Sequence, residues 1–126
     1  MNLNQITVPA LDVAASIEFY KKLGLKLIVK ALPHYARFEC PEGEATFSLH
    51  KVEEKDETAG FMTYFETKNL DEKVETLVAQ GVIFDEMPED RSWLWREARL
   101  KDPYGNRIII FYAGKNRKNP PWRIEE

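Results

Sequence analysis

At 126 residues and a net charge of −3, the chain has the size of one domain and lacks the basic excess of a nucleic-acid binder. Its hydrophobic fraction of 44% suffices for a packed core, yet no apolar run approaches the roughly 18 residues of a membrane span. The single cysteine, Cys40, rules out an internal disulfide, and the opening Met1-Asn2-Leu3-Asn4-Gln5 has neither the basic nor the apolar region of a secretory leader, so a cytoplasmic protein is expected.

The elements follow one another in a repeating order. Leu3–Val8 is β-prone and is expected to stop at Pro9. Asp12 is a suitable N-cap for a helix carrying Val13, Ile17 and Tyr20 at helical spacing, with Gly24 ending it. Strands are expected at Leu25–Lys30, His34–Cys40 and Ala45–Val52, the second closed by the Pro41-Glu42-Gly43 turn. Glu53–Thr58, with five charges in six positions, reads as an exposed linker. The order then recurs: a strand at Phe61–Glu66, a helix at Leu70–Gln80 with Leu70, Val74, Leu77 and Val78 on one face, Gly81, and a strand at Val82–Phe84. A long strand at Trp93–Lys101 leads into the turn Asp102-Pro103-Tyr104-Gly105-Asn106, and Arg107–Ala113 is the last strand. Gly24 and Gly81 stand 57 positions apart, as do Gln5 and Met62, while Ser48 and Ile109 stand 61 apart. Such offsets indicate an internal repeat of about half the chain.

Strand alternation sorts the side chains by face. Ile6, Val8, Phe47, Leu49, Phe61, Phe65, Ala98 and Leu100 are expected to pack against helices. The opposite faces carry Gln5, Thr7, Ser48, His50, Met62, Tyr64, Trp95, Glu97, Arg99, Ile109 and Phe111. Apolar walls with a few placed polar groups are the make-up of a small-molecule pocket, although Glu97 and Arg99, two apart on one strand, also suit a simple ion pair. Gly114–Asn119 is basic and flexible-looking. Pro120-Pro121-Trp122-Arg123-Ile124 is stiffer and offers apolar anchors, so Trp122 is expected to dock on the body or on a second subunit.

The two βαβββ modules, the Leu11-Asp12 helix start, Phe19-Tyr20 followed by Leu23-Gly24-Leu25, and the Asp102–Asn106 turn before an apolar strand together resemble the vicinal oxygen chelate superfamily. That superfamily includes glyoxalase I, bleomycin-resistance proteins, fosfomycin-resistance enzymes and extradiol dioxygenases. The resemblance spans residues 3 to about 113. It implies an α+β fold in which module one (about 3–52), a linker (53–59) and module two (about 60–113) form a curved mixed sheet around a cavity, followed by a tail (114–126). It also implies a small-molecule ligand and a homodimer.

The family's enzymes hold a divalent metal at four sheet positions, which fall here on Gln5, Ser48, Met62 and Ile109. Only Gln5 is a ligand of the usual kind, because Ile109 has no donor and the Met62 thioether is too soft for a hard cation. No cofactor is therefore expected. A displaced site at Gln5, His50 and Glu97 is the remaining metal alternative. The resulting expectation is a binder of an aromatic or amphipathic molecule, contacted by Gln5, Thr7, Ser48, Met62, Trp95, Arg99, Ile109 and Phe111. The alternative is a lyase or isomerase acting beside a carbonyl, with His50, Glu97 and Tyr64 as proton-transfer groups. Cys40 and His34 are assigned no chemistry.

Overall fold

The computed structural model of the chain describes residues 2–56 and 61–125. Among the described residues, eight strands and two helices run in the order β1 (Gln5–Ala10), α1 (Val13–Lys22), β2 (Lys26–Ala31), β3 (Tyr35–Glu39), β4 (Thr46–Lys51), β5 (Met62–Glu66), α2 (Leu70–Ala79), β6 (Phe84–Asp90), β7 (Arg96–Lys101) and β8 (Arg107–Tyr112), with a 3₁₀ turn at Gly114–Arg117. The strands form two four-stranded mixed sheets of identical plan, β1-β4-β3-β2 and β5-β8-β7-β6. In each, the first strand pairs parallel to the fourth and the other pairings are antiparallel. This is a tandem βαβββ fold. The chain divides into two compact units, Met1–Phe61 with Asp102–Asn106, and Met62–Lys101 with Arg107–Glu126.

In the first unit, Asp12 caps α1 by accepting the Ala15 N–H at 3.1 Å. Gly24 closes the helix in the left-handed region at φ 100°, where a side chain would be strained. Val13, Ser16, Ile17 and Tyr20 form the buried stripe of α1, and the Tyr20 ring lies 4.6 Å from that of Phe47. The Asp102–Asn106 turn is the polar anchor of this unit. Asp102 Oδ1 accepts the backbone N–H groups of Tyr104, Gly105 and Asn106 at 2.8–3.0 Å, while Oδ2 accepts Tyr20 Oη–H at 2.7 Å and Asn106 Nδ2–H at 2.6 Å. Gly105 supplies the positive φ, 107°, that the turn requires. Burial, reinforced by the Asp102 charge, pushes the Tyr20 phenol far up, so it remains a donor.

Strand β1 continues through Pro9, against expectation, with Pro9 opposite His50. It is an edge strand, where a missing N–H breaks no ladder bond, and the Pro9 carbonyl accepts from Asn106 Nδ2 at 3.0 Å. Residues 57–60, which include the end of the expected linker and Thr58, lie outside the described residues.

In the second unit, α2 buries Leu70, Val74 and Leu77. Val78, expected on the same face, is 46% exposed, because the ten-residue helix needs only a narrow stripe to cover its sheet. The strands also redistribute. β6 runs over Phe84–Asp90 rather than Val82–Phe84, and β7 begins at Arg96 rather than Trp93. Residues 91–95 form the hairpin connection instead: Arg91 N donates to the Trp95 carbonyl at 2.8 Å, and Leu94 takes a positive φ of 67°. The expected flexible segment is ordered at its start, where Glu66 Oε2 accepts the Ala113 and Gly114 N–H groups at 2.9 Å. Trp122 and Ile124 do not dock on the body. They are 56% and 75% exposed, and Arg123 folds the tail onto itself through Lys118 O and Asn119 Oδ1.

Candidate functional site

On the second sheet the register sets the outward rows. Tyr64, Ile109, Arg99 and Glu86 form one row across β5, β8, β7 and β6, and Glu66, Phe111, Glu97 and Glu89 form the next. The apolar half of this face is an aromatic cluster. Trp95 stacks on Phe111 at 4.6 Å and 15°, and Tyr64 meets both rings edge-on at 5.9 and 5.6 Å. Ile109 and Phe111 are consequently buried, with Met62 and Trp95 packed against them, whereas Tyr64 stays 43% exposed. Trp95 sits on the connection rather than on a strand, and its indole N–H reaches the Asn116 carbonyl at 3.4 Å.

The polar half is an ion network around Glu97, which is only 1% exposed. Its Oε2 accepts Trp93 Nε1–H at 2.9 Å. Its Oε1 accepts Arg99 at 3.2 Å and faces Arg91 at 3.7 Å. Glu86 bridges the same two guanidiniums, at 2.6 Å from Arg91 and 3.4 Å from Arg99. Each Glu97 oxygen thus holds a donor, and its charge faces two guanidiniums, so it positions Arg99.

On the second sheet a cavity of about 310 Å³ is lined by the apolar Met62 and Ile109 and the charged Arg99, Lys101, Arg107 and Glu86. Lys101 pairs with Asp85 at 3.4 Å, while Arg107 has no ion pair among the described residues. A larger groove of about 790 Å³ opens at the start of α2. At its wall Arg96 grips Asp71 at 2.9 and 3.1 Å, which holds the Asp71 carboxyl below its ordinary range. The smaller cavity has the better claim to a ligand, because an apolar wall there meets the guanidiniums of Arg99 and Arg107.

The first sheet presents a polar face. Gln5 Oε1 accepts Thr46 Oγ1–H at 2.8 Å, and Thr7, also outward, is exposed. Ser48 is fully buried, and its hydroxyl bonds the Tyr35 hydroxyl at 2.8 Å; Arg37 Nε donates to the same phenol at 2.9 Å. Burial pushes the Tyr35 phenol up, but the Ser48 and Arg37 hydrogen bonds and the Arg37 charge outweigh it, leaving the phenol below its ordinary value. His50, opposite Tyr35 in the register, is exposed at the strand end. Tyr35 and Arg37 were not singled out in the sequence, although their spacing of two matches that of Glu97 and Arg99. Cys40 is half-buried, and burial pushes its thiol up, away from reactivity.

These donors do not fit a divalent metal. Ile109 has no donor atom, Met62 offers a thioether, and the Gln5 and Ser48 oxygens are already hydrogen-bonded. Among the described residues no three His, Cys, Asp or Glu side chains gather. The displaced set fares no better, because Glu97 is neutralised by two guanidiniums.

A family model described as the Glyoxalase/Bleomycin resistance protein/Dioxygenase superfamily matches residues 2–110. Comparison with curated proteins gives no significant match. Among solved structures, a glyoxalase/bleomycin resistance protein/dioxygenase from Nocardioides superposes with a TM-score of 0.77 at 25% identity, covering 99% of this chain and 90% of that one. Lactoylglutathione lyase from Agrobacterium tumefaciens gives 0.70 at 19% identity, covering 88% and 92%. A bleomycin resistance determinant encoded on the transposon Tn5 gives 0.73 at 17% identity, covering 89% and 98%.

Proposed function

The chain belongs to the glyoxalase/bleomycin resistance protein/dioxygenase superfamily, and from that premise we propose that it binds a small amphipathic molecule with an acidic end, without the family's metal. The observation that carries this reading is the cavity of about 310 Å³, in which the apolar wall of Met62 and Ile109 meets Arg99 and Arg107, the latter without an ion pair among the described residues. An apolar wall with a few convergent polar groups is the usual make-up of a ligand site, and guanidinium forks suit carboxylates. Tyr64, already packed on Trp95 and Phe111, extends the apolar surface. The donor chemistry at Gln5, Ser48, Met62 and Ile109 supports a binding function over that of the lyase the chain resembles in fold. The same reading makes the chain a cytoplasmic homodimer; the exposed Trp122 and Ile124 support the second copy as a partner.

Titration with 1-naphthoate, followed by tryptophan fluorescence, tests the proposal. Saturable quenching is expected, with Arg99→Ala weakening it about tenfold through loss of a charged hydrogen bond. Absence of saturation, or unchanged affinity in Arg99→Ala, overturns it. So does stoichiometric uptake of zinc, nickel, manganese or iron that is lost in His50→Ala, which would restore the metalloenzyme reading.

A further inference from the structure

We propose that Tyr35 and Arg37, on the first sheet, form a second anion site that takes a carboxylate, with Ser48 as the buried hydroxyl that holds the Tyr35 phenol in place. The argument starts from the register. Ser48 lies opposite Arg37, and Tyr35 lies opposite His50, so Tyr35, Arg37, Ser48 and His50 share one face. Ser48 is wholly buried, and Tyr35 Oη is its hydroxyl's one partner among the described residues. Arg37 Nε is committed to Tyr35 Oη, while its terminal nitrogens have no acceptor among the described residues.

The proton count then decides what the site does. A phenol oxygen accepts about two hydrogen bonds. When Arg37 N–H and Ser48 O–H occupy them, the phenol's own proton must go to a third group. Because either hydroxyl can be the donor in the Tyr35–Ser48 bond, Ser48 is free to turn donor as an anion arrives. The arriving carboxylate then meets the Tyr35 O–H and the Arg37 terminal N–H groups together, a two-donor arrangement suited to its two oxygens.

Charge supports the same assignment. No carboxylate pairs with Arg37 among the described residues, whereas Arg99 on the second sheet has both Glu97 and Glu86. The other ionisable groups on this face are His50 on β4 and Glu39 on β3, the latter paired with Lys26 of β2 at 3.5 Å; β1 contributes only Gln5 and Thr7. Tyr35 and Arg37 are each partly exposed and so accessible.

The test uses benzoate as probe and protein labelled with ¹³C at the tyrosine hydroxyl-bearing carbon, with the Tyr35 signal assigned by its loss in Tyr35→Phe. Benzoate is expected to shift that signal saturably, and Arg37→Met to weaken binding at least about tenfold. Bound benzoate is also expected to raise the Tyr35 titration midpoint, and benzoate affinity to fall as pH rises through it, because deprotonation removes a donor and adds repulsion. If Arg37→Met fails to fold, Arg37→Lys, which keeps the charge without the fork, carries the test with weakening of the same sign. A Tyr35 signal that benzoate leaves unmoved, or moves equally in the Arg37 variant, overturns the proposal. Arg99→Ala is expected to leave the Tyr35 response intact, so failure of this site and failure of the cavity reading are told apart.

Discussion

The two sheets share strand order, pairing sense and even an arginine at the same register position, yet they handle that arginine in opposite ways. Arg37 lies opposite Ser48 and Arg99 lies opposite Ile109, and each bonds the residue two positions before it. In the first unit that neighbour is a phenol, and the guanidinium has no carboxylate partner among the described residues. In the second it is a buried carboxylate, reinforced by Glu86 and Arg91. The central position follows suit, with a hydroxyl in one sheet and an isobutyl-sized apolar group under an aromatic cluster in the other. A repeated backbone therefore sets where side chains meet, while the identity of two or three of them sets whether the face is polar or an apolar wall with a charged rim.

The contrast is open to measurement. The largest effect is expected from Glu97→Ala. It leaves two guanidiniums and the Trp93 indole N–H without their common acceptor, at a cost of about 3 kcal/mol, read as a lowered urea midpoint at unchanged slope. A loss below about 1 kcal/mol would mean that Glu86 and Glu89 re-pair both arginines, and the contrast between the sheets would shrink. Trp95→Ala is expected to cost about 2–3 kcal/mol, because it uncovers Phe111 and Ile109 and removes the stacked pair. Thermal unfolding checks this, and enhanced binding of an apolar dye would mark the exposed wall. On the first sheet the corresponding change is milder. Tyr35→Phe removes two hydrogen bonds at a partly exposed phenol but leaves the buried Ser48 hydroxyl without its partner, about 1 kcal/mol in denaturant titration. A cost equal to that of Glu97→Ala would erase the distinction. The smallest effect concerns Cys40. With its thiol pushed up by burial, it is expected to react with iodoacetamide more slowly than a free cysteine at pH 8, and reaction at the free rate would show that the strand end opens readily.

Much of the scaffold was legible from local signals. Asp12 and Gly24 bound α1 because capping and a positive φ depend on a few adjacent residues. Alternation in β7 correctly separated Arg96, Ala98 and Leu100 from Glu97 and Arg99, as the Arg96–Asp71 pairing on α2 shows. The 91–95 connection was not legible: Trp93-Leu94-Trp95 has strand-like composition, and only the left-handed Leu94 reverses it. That reversal brings Trp93 onto Glu97 and Trp95 onto Phe111, so the character of the second face rests on one backbone angle that no propensity favours. Tyr35 escaped notice for a related reason, because its meaning comes from Ser48, 13 positions away across a strand pair.

The sequence by itself determined the repeat, the element types, the turn glycines and the inward and outward parity of the strands, all of which follow from interactions within a few residues. Only the tertiary structure decided which outward residues are neutralised and which stay available. That choice depends on cross-strand partners: Glu97 and Glu86 hold Arg99, while Arg37 has a phenol and, among the described residues, no carboxylate. Strand pairing brings together groups far apart in the chain, and a side chain's charge acquires a consequence only once its neighbours are in place.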